Sequence, residues 1–117
     1  MIEFVVEIVP CNVEGTSILR PVGSIDATAA PILESHFKNL WEKEFRNIIV
    51  DFSKSDFISS AGIGIFLGTV SRLRKTGGNI YFMNVPSHID EIFGIINLKP
   101  FFRTIKTPEE IESVPRI

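Results

Sequence analysis

The 117-residue sequence has one cysteine, one tyrosine and one tryptophan, and it contains no long apolar run. A single cysteine, Cys11, excludes an internal disulfide and a zinc site built from several cysteines. The apolar runs are too short to span a bilayer, and the start Met1-Ile2-Glu3-Phe4 lacks the basic head and the cleavage site of a secretory signal. We therefore expect a soluble, cytoplasmic protein that has no membrane partner, no metal and no other cofactor.

The sequence also lacks a large excess of charge of either sign. Twelve Lys and Arg residues stand against fourteen Asp and Glu residues, so the net charge is −2 and no basic block occurs. Because phosphate binding needs concentrated cations, we expect no nucleic-acid partner. A small cluster at Arg72, Arg74 and Lys75 is interpreted as a complement to the dipole at a helix C-terminus, with the docking of an acidic partner as the alternative.

The length suits one domain over residues 1–117, since domains commonly have roughly 100–150 residues. Ten phenylalanines indicate a Phe-rich core, from which one or two are left for a partner surface. Neither a G-x-S-x-G nucleophile elbow nor a G-x-x-x-x-G-K-[ST] phosphate loop is present, and so we expect no catalytic activity.

Hydrophobic periodicity indicates strands that alternate with helices. An almost unbroken apolar run at Ile48-Ile49-Val50 is typical of a central strand buried on both faces. The pattern predicts strands over residues 3–9, 16–22, 47–52, 80–85 and 101–105, and helices over 28–44, from just after Ser60 to 76, 87–97 and from 107 onwards, with Thr28 as the cap of the first helix. The fold class is therefore α/β: a mixed sheet of four or five strands, antiparallel at its start, with helices mainly on one face.

Functional loops of such a sheet collect at the carboxyl ends of its parallel strands. Two loops that carry acids belong there, one over Gly23–Asp26 and one over Asp51–Gly64. Ser59 and Ser60 lie just before the second helix begins, so a hydroxyl there caps the helix or accepts a phosphate, since backbone N–H groups and the helix dipole favour anions. Both roles are open at this point.

The same residues carry a resemblance. Asp51-Phe52-Ser53, then Phe57-Ile58-Ser59-Ser60-Ala61-Gly62-Ile63-Gly64, resemble the signature of the STAS domains that act as bacterial anti-sigma factor antagonists. Upstream, Gly23-Ser24-Ile25-Asp26-Ala27-Thr28-Ala29 is similar to that family's first loop, and Gly77–Ile80 and Phe93–Leu98 also fit. The resemblance covers nearly the whole chain in order.

The resemblance implies a protein–protein switch. In this family the unmodified antagonist binds an anti-sigma factor that is also a serine kinase, and this binding frees a sigma factor. Phosphorylation of the antagonist ends the binding, and a PP2C-type phosphatase restores it. By position the phosphoacceptor is Ser60, with Asp26 as the loop acid beside it. The resemblance also implies that the partner contacts the surroundings of this serine, namely Asp26, Asp56, Ser59, Ala61, Gly62, Ile63 and Gly64.

One position departs from the family pattern. Where the family commonly has Asp directly before the acceptor, this chain has Ser59, so Ser59 is the alternative acceptor. The alternative function is a STAS scaffold subunit of a stress-signalling or lipid-transport complex that does not switch.

Overall fold

Five strands and three helices form the domain in the computed structural model, which describes residues 4–98 and 101–113. The strands are β1 (Val5–Val9), β2 (Thr16–Val22), β3 (Asn47–Asp51), β4 (Asn79–Met83) and β5 (Arg103–Thr104). The helices are α1 (Ala30–Glu42), α2 (Ser60–Arg74) and α3 (Ser87–Ile95), and a 3-10 helix follows over Pro108–Ser113. None of the helices in this described part is long and apolar enough to cross a bilayer.

The sheet is mixed and its strands lie in chain order, β1-β2-β3-β4-β5. β1 runs antiparallel to β2, whereas β2, β3, β4 and β5 are parallel neighbours. Each parallel pair from β2 to β4 is joined through a helix, because a parallel connection must cross back over the sheet. The predicted fold class, a mixed sheet of four or five strands, is confirmed.

The central strand β3 is buried on both faces, as its apolar run predicts. Ile48, Ile49 and Val50 are completely inaccessible to solvent. Successive residues of a strand point to opposite faces, so Ile48 and Val50 join the core beneath the helices and Ile49 joins a smaller core on the other face. The sheet therefore needs cover on both sides.

All three helices cover the same face. The core beneath them includes Leu33 and Phe37 of α1, Phe66 of α2 and Phe93 of α3. The Phe66 ring is the centre of an aromatic cluster in which four rings meet it edge to face. The distances from its centroid to theirs are 5.7 Å for Phe37, 6.0 Å for Phe52, 5.1 Å for Phe82 and 6.3 Å for Phe102. Such ring pairs add about 0.5–1.5 kcal/mol each beyond their burial, so α2 is held firmly on the sheet.

The opposite face is covered by the C-terminal segment. Ile105 and Ile111, the latter in the 3-10 helix, pack on a small cluster that contains Ile18, Ile49, Tyr81 and Met83. The prediction of helices mainly on one face is thus confirmed, with a single 3-10 turn on the second face.

Element ends differ from the sequence predictions by a few residues. α1 begins at Ala30 rather than at residue 28, and β5 has two residues rather than five. α3 ends at Ile95, and Asn97 follows it with a positive φ of 63°, a conformation that asparagine adopts more readily than most residues. The order and type of every element agree with the prediction.

Candidate functional site

The carboxyl ends of β2, β3 and β4 lie at one edge of the sheet because these strands are parallel. The helices α1, α2 and α3 follow these strands in turn, so all three N-termini lie at this edge. The predicted site residues lie in the loop between β2 and α1 and in the loop and first turn between β3 and α2.

These two loops are hydrogen-bonded to each other like short strands. The Gly23 N–H donates to the Lys54 carbonyl at 3.0 Å, and the Ile25 N–H donates to the Phe57 carbonyl at 2.9 Å. Ile25 and Ile58 form a parallel bridge that continues the sheet beyond β2 and β3. The buried Ser55 hydroxyl adds a bond of 2.7 Å to the Gly23 carbonyl. The segment before α2 is therefore a fixed extension of the sheet.

Ser59 is the N-cap of α2. Its backbone is extended (φ −89°, ψ 168°), and its side-chain oxygen accepts a hydrogen bond from the Gly62 N–H at 3.2 Å. Its own N–H donates to the Ile25 carbonyl at 2.8 Å, which ties the start of α2 to the other loop. The Ser59 hydroxyl is thus used in the fold, as the capping alternative predicts.

Ser60 differs from Ser59 although the two are neighbours. It is the first residue of α2, it is exposed, and its hydroxyl has no hydrogen-bond partner among residues 4–98 and 101–113. The first turn of α2 carries no acidic residue. Ser60 therefore offers a free hydroxyl beside the partial positive charge of a helix N-terminus, a position where an added phosphate is electrostatically favoured.

Gly62 lets α2 approach the linked loops. It is buried, and a Cβ built on it lies 2.8 Å from Ile25 Cγ2, 3.0 Å from Ile58 Cγ1 and 3.3 Å from the Ile25 carbonyl oxygen. A contact below 3.0 Å essentially never occurs in relaxed structures, so any larger residue at this position forces a neighbouring side chain to shift. The half-buried Ile63 donates its N–H to the Ser59 carbonyl at 3.0 Å, which closes the first turn.

Ala61 and Gly64 lie on the solvent side of the same helix. Both are exposed, and a Cβ built on Gly64 meets no atom within 4 Å. Gly64 is four residues after Ser60 and hence on the same face of α2. Around the free hydroxyl of Ser60, the surface of α2 consists of small residues and is therefore open to solvent.

Asp26 lies beside this site but has a structural task. Its carboxylate Oδ1 accepts hydrogen bonds from the N–H groups of Thr28 at 3.0 Å and Ala29 at 2.9 Å. The prediction that Thr28 caps α1 is wrong: no side chain caps that helix at its N-cap position, Ala29, and Asp26 takes up the amides just before it. The Asp26 carboxylate, two residues before Thr28, accepts hydrogen bonds from two backbone N–H groups. A hydroxyl at Thr28 accepts at most one.

Asp56 is exposed, and its carboxylate has no partner in the described part of the chain. Its backbone carbonyl accepts a hydrogen bond from His88 Nε2 near the start of α3, so that this nitrogen carries the proton. Beside Asp56, Phe57 has 48% of its surface exposed. The site therefore includes a contact to α3 and an exposed aromatic ring that the sequence analysis did not assign to it.

No three side chains of His, Cys, Asp or Glu come together as metal ligands within residues 4–98 and 101–113. A free serine hydroxyl at a helix N-terminus, an open helix face and an exposed phenylalanine suit recognition by a protein and modification by an enzyme.

A model of the STAS domain matches residues 8–111 of this chain. The chain belongs to the STAS-domain family. The anti-sigma-B factor antagonist of Staphylococcus aureus is 29% identical to this STAS domain over 77 residues, which cover 66% of this chain and 71% of the relative.

Two solved structures share the fold of this STAS domain. An anti-sigma factor antagonist from Mycobacterium paratuberculosis superposes with a TM-score of 0.78 at 20% identity, over 95% of this chain and 92% of the other. The Bacillus cell fate determinant SpoIIAA in its phosphorylated form gives a TM-score of 0.69 at 22% identity, over 97% of this chain and 100% of the other.

On the second face of the sheet of this STAS domain, hydrogen bonds and an ion pair of Asp51 hold the loop between β3 and α2. Asp51 is buried, and its Oδ1 accepts bonds of 2.9 Å from the Ser53 N–H and from the side-chain amide of Asn84. Arg20 Nη1 lies 3.8 Å from the second carboxylate oxygen of Asp51. Asp51 thus bonds to backbone in the loop that follows its strand, and its contacts with Asn84 and Arg20 have no local sequence signal.

Arg20 continues this network to the edge strand β1. Its Nε donates to Glu7 Oε1 at 2.8 Å, and Lys54 Nζ lies 3.4 Å from the same oxygen. The hydrogen bond from Arg20 is the main cause that lowers the pKa of Glu7 below its ordinary value, and Lys54 adds to it. The start of the loop before α2 is thereby linked to β1.

Proposed function

We propose that this STAS domain, acting as one unit over residues 1–117, is an anti-sigma factor antagonist. In its unmodified form it binds an anti-sigma factor that is also a serine kinase, and this binding releases a sigma factor. Two observations support the proposal: the names of the Staphylococcus relatives, and the exposed, unbonded hydroxyl of Ser60 at the start of α2. The second observation carries it, because a switch needs an accessible acceptor.

Ser60 rather than Ser59 is the proposed acceptor. The Ser59 oxygen accepts the Gly62 N–H and is half-buried, so modification at Ser59 breaks a cap that contributes about 1 kcal/mol. Ser60 loses no internal hydrogen bond when a kinase replaces its hydroxyl proton with a phosphoryl group from ATP. The fold therefore favours Ser60.

The surroundings of Ser60 are proposed as the contact surface for the kinase. Ala61 and Gly64 keep the face of α2 low, and Phe57 supplies an exposed apolar ring nearby in the chain. Asp26 and Asp56 are exposed acids of the same edge and are proposed to contact the partner as well. Gly62 and Ile63 act indirectly, because they hold the first turn against the loops.

Phosphorylation of Ser60 is expected to end the complex without unfolding the domain. A phosphoserine carries about −1.5 to −2 charges at neutral pH. At the N-terminus of α2 this charge is favoured by roughly 0.3–1 kcal/mol, so the isolated domain tolerates it. In the complex the same charge is buried without a partner, at a cost of several kcal/mol. A PP2C-type phosphatase is the proposed enzyme that restores the hydroxyl.

Intact-mass measurement tests the acceptor. The parent chain, Ser60→Ala and Ser59→Ala are incubated with the cognate anti-sigma factor kinase and ATP. We expect one phosphate on the parent and on Ser59→Ala, and none on Ser60→Ala. Titration calorimetry with the same kinase is then expected to show binding by the unmodified parent and no binding by its phosphorylated form.

The second candidate function is a STAS scaffold subunit that does not switch, in a stress-signalling or lipid-transport complex. One observation favours it: Ser59 occupies the position before the acceptor, where antagonists of this family commonly have Asp. An unmodified parent chain, with a kinase that is active on another antagonist, decides for the scaffold and against the switch.

A further inference from the structure

The C-terminal end of α2, opposite Ser60, carries three exposed cations: Arg72, Arg74 and Lys75. The helix has 15 residues, so this end lies about 22 Å from the free hydroxyl. With 100° between successive residues, Lys75 projects outward between the two arginines, while Leu73 points into the core. These three cations, with the aromatic rings of Trp41 and Phe101, are called the basic end.

Both arginines of the basic end lie over aromatic rings. The Arg72 Cζ is 5.3 Å from the centre of the Trp41 ring, and the Arg74 Cζ is 5.8 Å from the centre of the Phe101 ring. Stacking of this kind restrains a guanidinium and leaves its in-plane N–H groups available for a carboxylate. The basic end is therefore partly ordered before any partner binds.

None of the three cations forms an ion pair within residues 4–98 and 101–113. The ion pairs there involve only Arg20 and Lys54 as cations. Glu42 and Glu44, exposed acids at the end of α1, make no ion pair with the basic end. Three like charges within four residues repel one another, and this repulsion is relieved by an external carboxylate.

The cations are also not needed to cap α2. The carbonyl of Arg72 accepts the Lys75 N–H, that of Leu73 accepts the N–H groups of Thr76 and Gly78, and that of Arg74 accepts the Gly77 N–H. The helices α1 and α3 form without a basic residue in their C-terminal turns. A complement to the helix dipole therefore does not explain why three cations occur together at this end of α2.

We propose that the basic end binds an acidic segment of a partner protein. Carboxylates of that segment pair with Arg72, Arg74 and Lys75, and an apolar side chain packs on Phe101, of which 44% is exposed. Charge complementarity argues for this occupant. A nucleic acid needs more cations than three on a chain of net charge −2, and the same net charge repels an anionic bilayer.

This binding is independent of the proposed switch at Ser60. The two surfaces lie at opposite ends of α2, beyond the screening length of about 8–10 Å at ordinary salt. A phosphate on Ser60 is consequently not expected to change the affinity of the basic end. The test of this proposal is therefore independent of the test of the kinase partner.

The test uses the full chain and a fluorescein-labelled synthetic peptide that alternates Asp or Glu with Leu or Phe, followed by fluorescence anisotropy. The triple variant Arg72→Gln, Arg74→Gln, Lys75→Gln is expected to bind about tenfold more weakly than the parent. The matched control, Lys38→Gln, Arg103→Gln, Lys106→Gln, removes the same charge from other exposed positions and is expected to bind like the parent. Ser60→Asp is also expected to bind like the parent.

Four outcomes overturn the proposal. They are an absence of peptide binding by the parent at low salt, an equal loss in the control triple, undiminished binding of a peptide in which Asn and Gln replace the acids, and tighter binding of a DNA duplex or of phosphatidylglycerol vesicles. In addition, Arg74→Lys keeps the charge but replaces the guanidinium that lies over Phe101. An affinity between those of the parent and the triple variant supports the role of this cation–π contact.

Discussion

Alanine at Gly62 and alanine at Gly64 are expected to change the stability of this STAS domain in opposite directions. In both places alanine gains roughly 0.5–1 kcal/mol because glycine is a poor helix former. At Gly62 the added methyl lies 2.8 Å from Ile25 Cγ2 and 3.0 Å from Ile58 Cγ1, inside the linked loops. At Gly64 it meets no atom within 4 Å.

The two effects at Gly62 do not cancel. Forcing a methyl into a packed site costs about 1–3 kcal/mol, and the Ile25 side chain has no room to move because it is fully buried. The net result for Gly62→Ala is a loss of about 1 kcal/mol in the free energy of unfolding, within a range of roughly 0–2.5 kcal/mol. Gly64→Ala retains the full gain of about 0.5–1 kcal/mol.

Binding to the proposed anti-sigma factor partner is expected to distinguish Gly64→Ala from a third variant, Gly68→Ala. Gly64→Ala adds a methyl one turn below Ser60, on the face through which the kinase is proposed to approach, so this variant is expected to bind about tenfold more weakly although it is more stable. Gly68→Ala is the matched control: its Cβ is also free of contacts, it lies one turn further from Ser60, and it is expected to gain the same stability.

Urea denaturation and titration calorimetry measure these quantities. A Gly62→Ala variant as stable as Gly64→Ala refutes the packing argument at Ile25. Unchanged affinity in Gly64→Ala refutes the assignment of this helix face to the partner. A loss of affinity in Gly68→Ala equal to that in Gly64→Ala shows that the contact does not centre on Ser60.

Three further predictions concern single positions. Ser59→Ala removes the cap of α2 and is expected to lower the free energy of unfolding by about 1 kcal/mol in urea denaturation. Gly78→Ala places a Cβ 1.7 Å from the Arg46 carbonyl oxygen, so we expect little or no folded protein by circular dichroism; a parent-like spectrum contradicts the close approach of β4 to that carbonyl. Glu7→Gln is expected to be less stable than the parent at neutral pH. The pKa of Glu7 is lowered in the folded state, so its contribution is complete above pH 4.5, declines as the pH falls, and the two stability curves converge in acid.

The sequence predicts those parts of the fold that depend on neighbours in the chain. The apolar run of β3 and the helical periodicity of α2 give the two elements that flank the site, and the placement of Ser59 and Ser60 at the start of α2 follows from them. The separate roles of the two serines do not follow. Either hydroxyl suits an N-cap by residue type, and only the backbone conformation at Ser59 decides which one accepts the Gly62 N–H.

Contacts between distant segments had no signal in the sequence. Ile58 is an apolar residue in a polar loop, and its pairing with Ile25 requires that β2 and β3 be known as neighbours. The bond from Asn84 to Asp51 joins residues 33 positions apart for the same reason. The role of Asp26 just before α1 was missed for a local reason, because Asp26 and Thr28 are both capping residue types and α1 begins only at Ala30.

The geometry also explains why a charge at Ser60 is expected to act on the complex and not on the fold. Ser59 caps α2 with a neutral hydroxyl, so no carboxylate stands directly before Ser60. Asp26, an acid of the neighbouring loop, directs its Oδ1 to the amides of Thr28 and Ala29. A phosphate therefore meets a favourable helix dipole worth roughly 0.3–1 kcal/mol and few opposing charges in the free domain. Its cost of several kcal/mol arises only where a partner removes it from water.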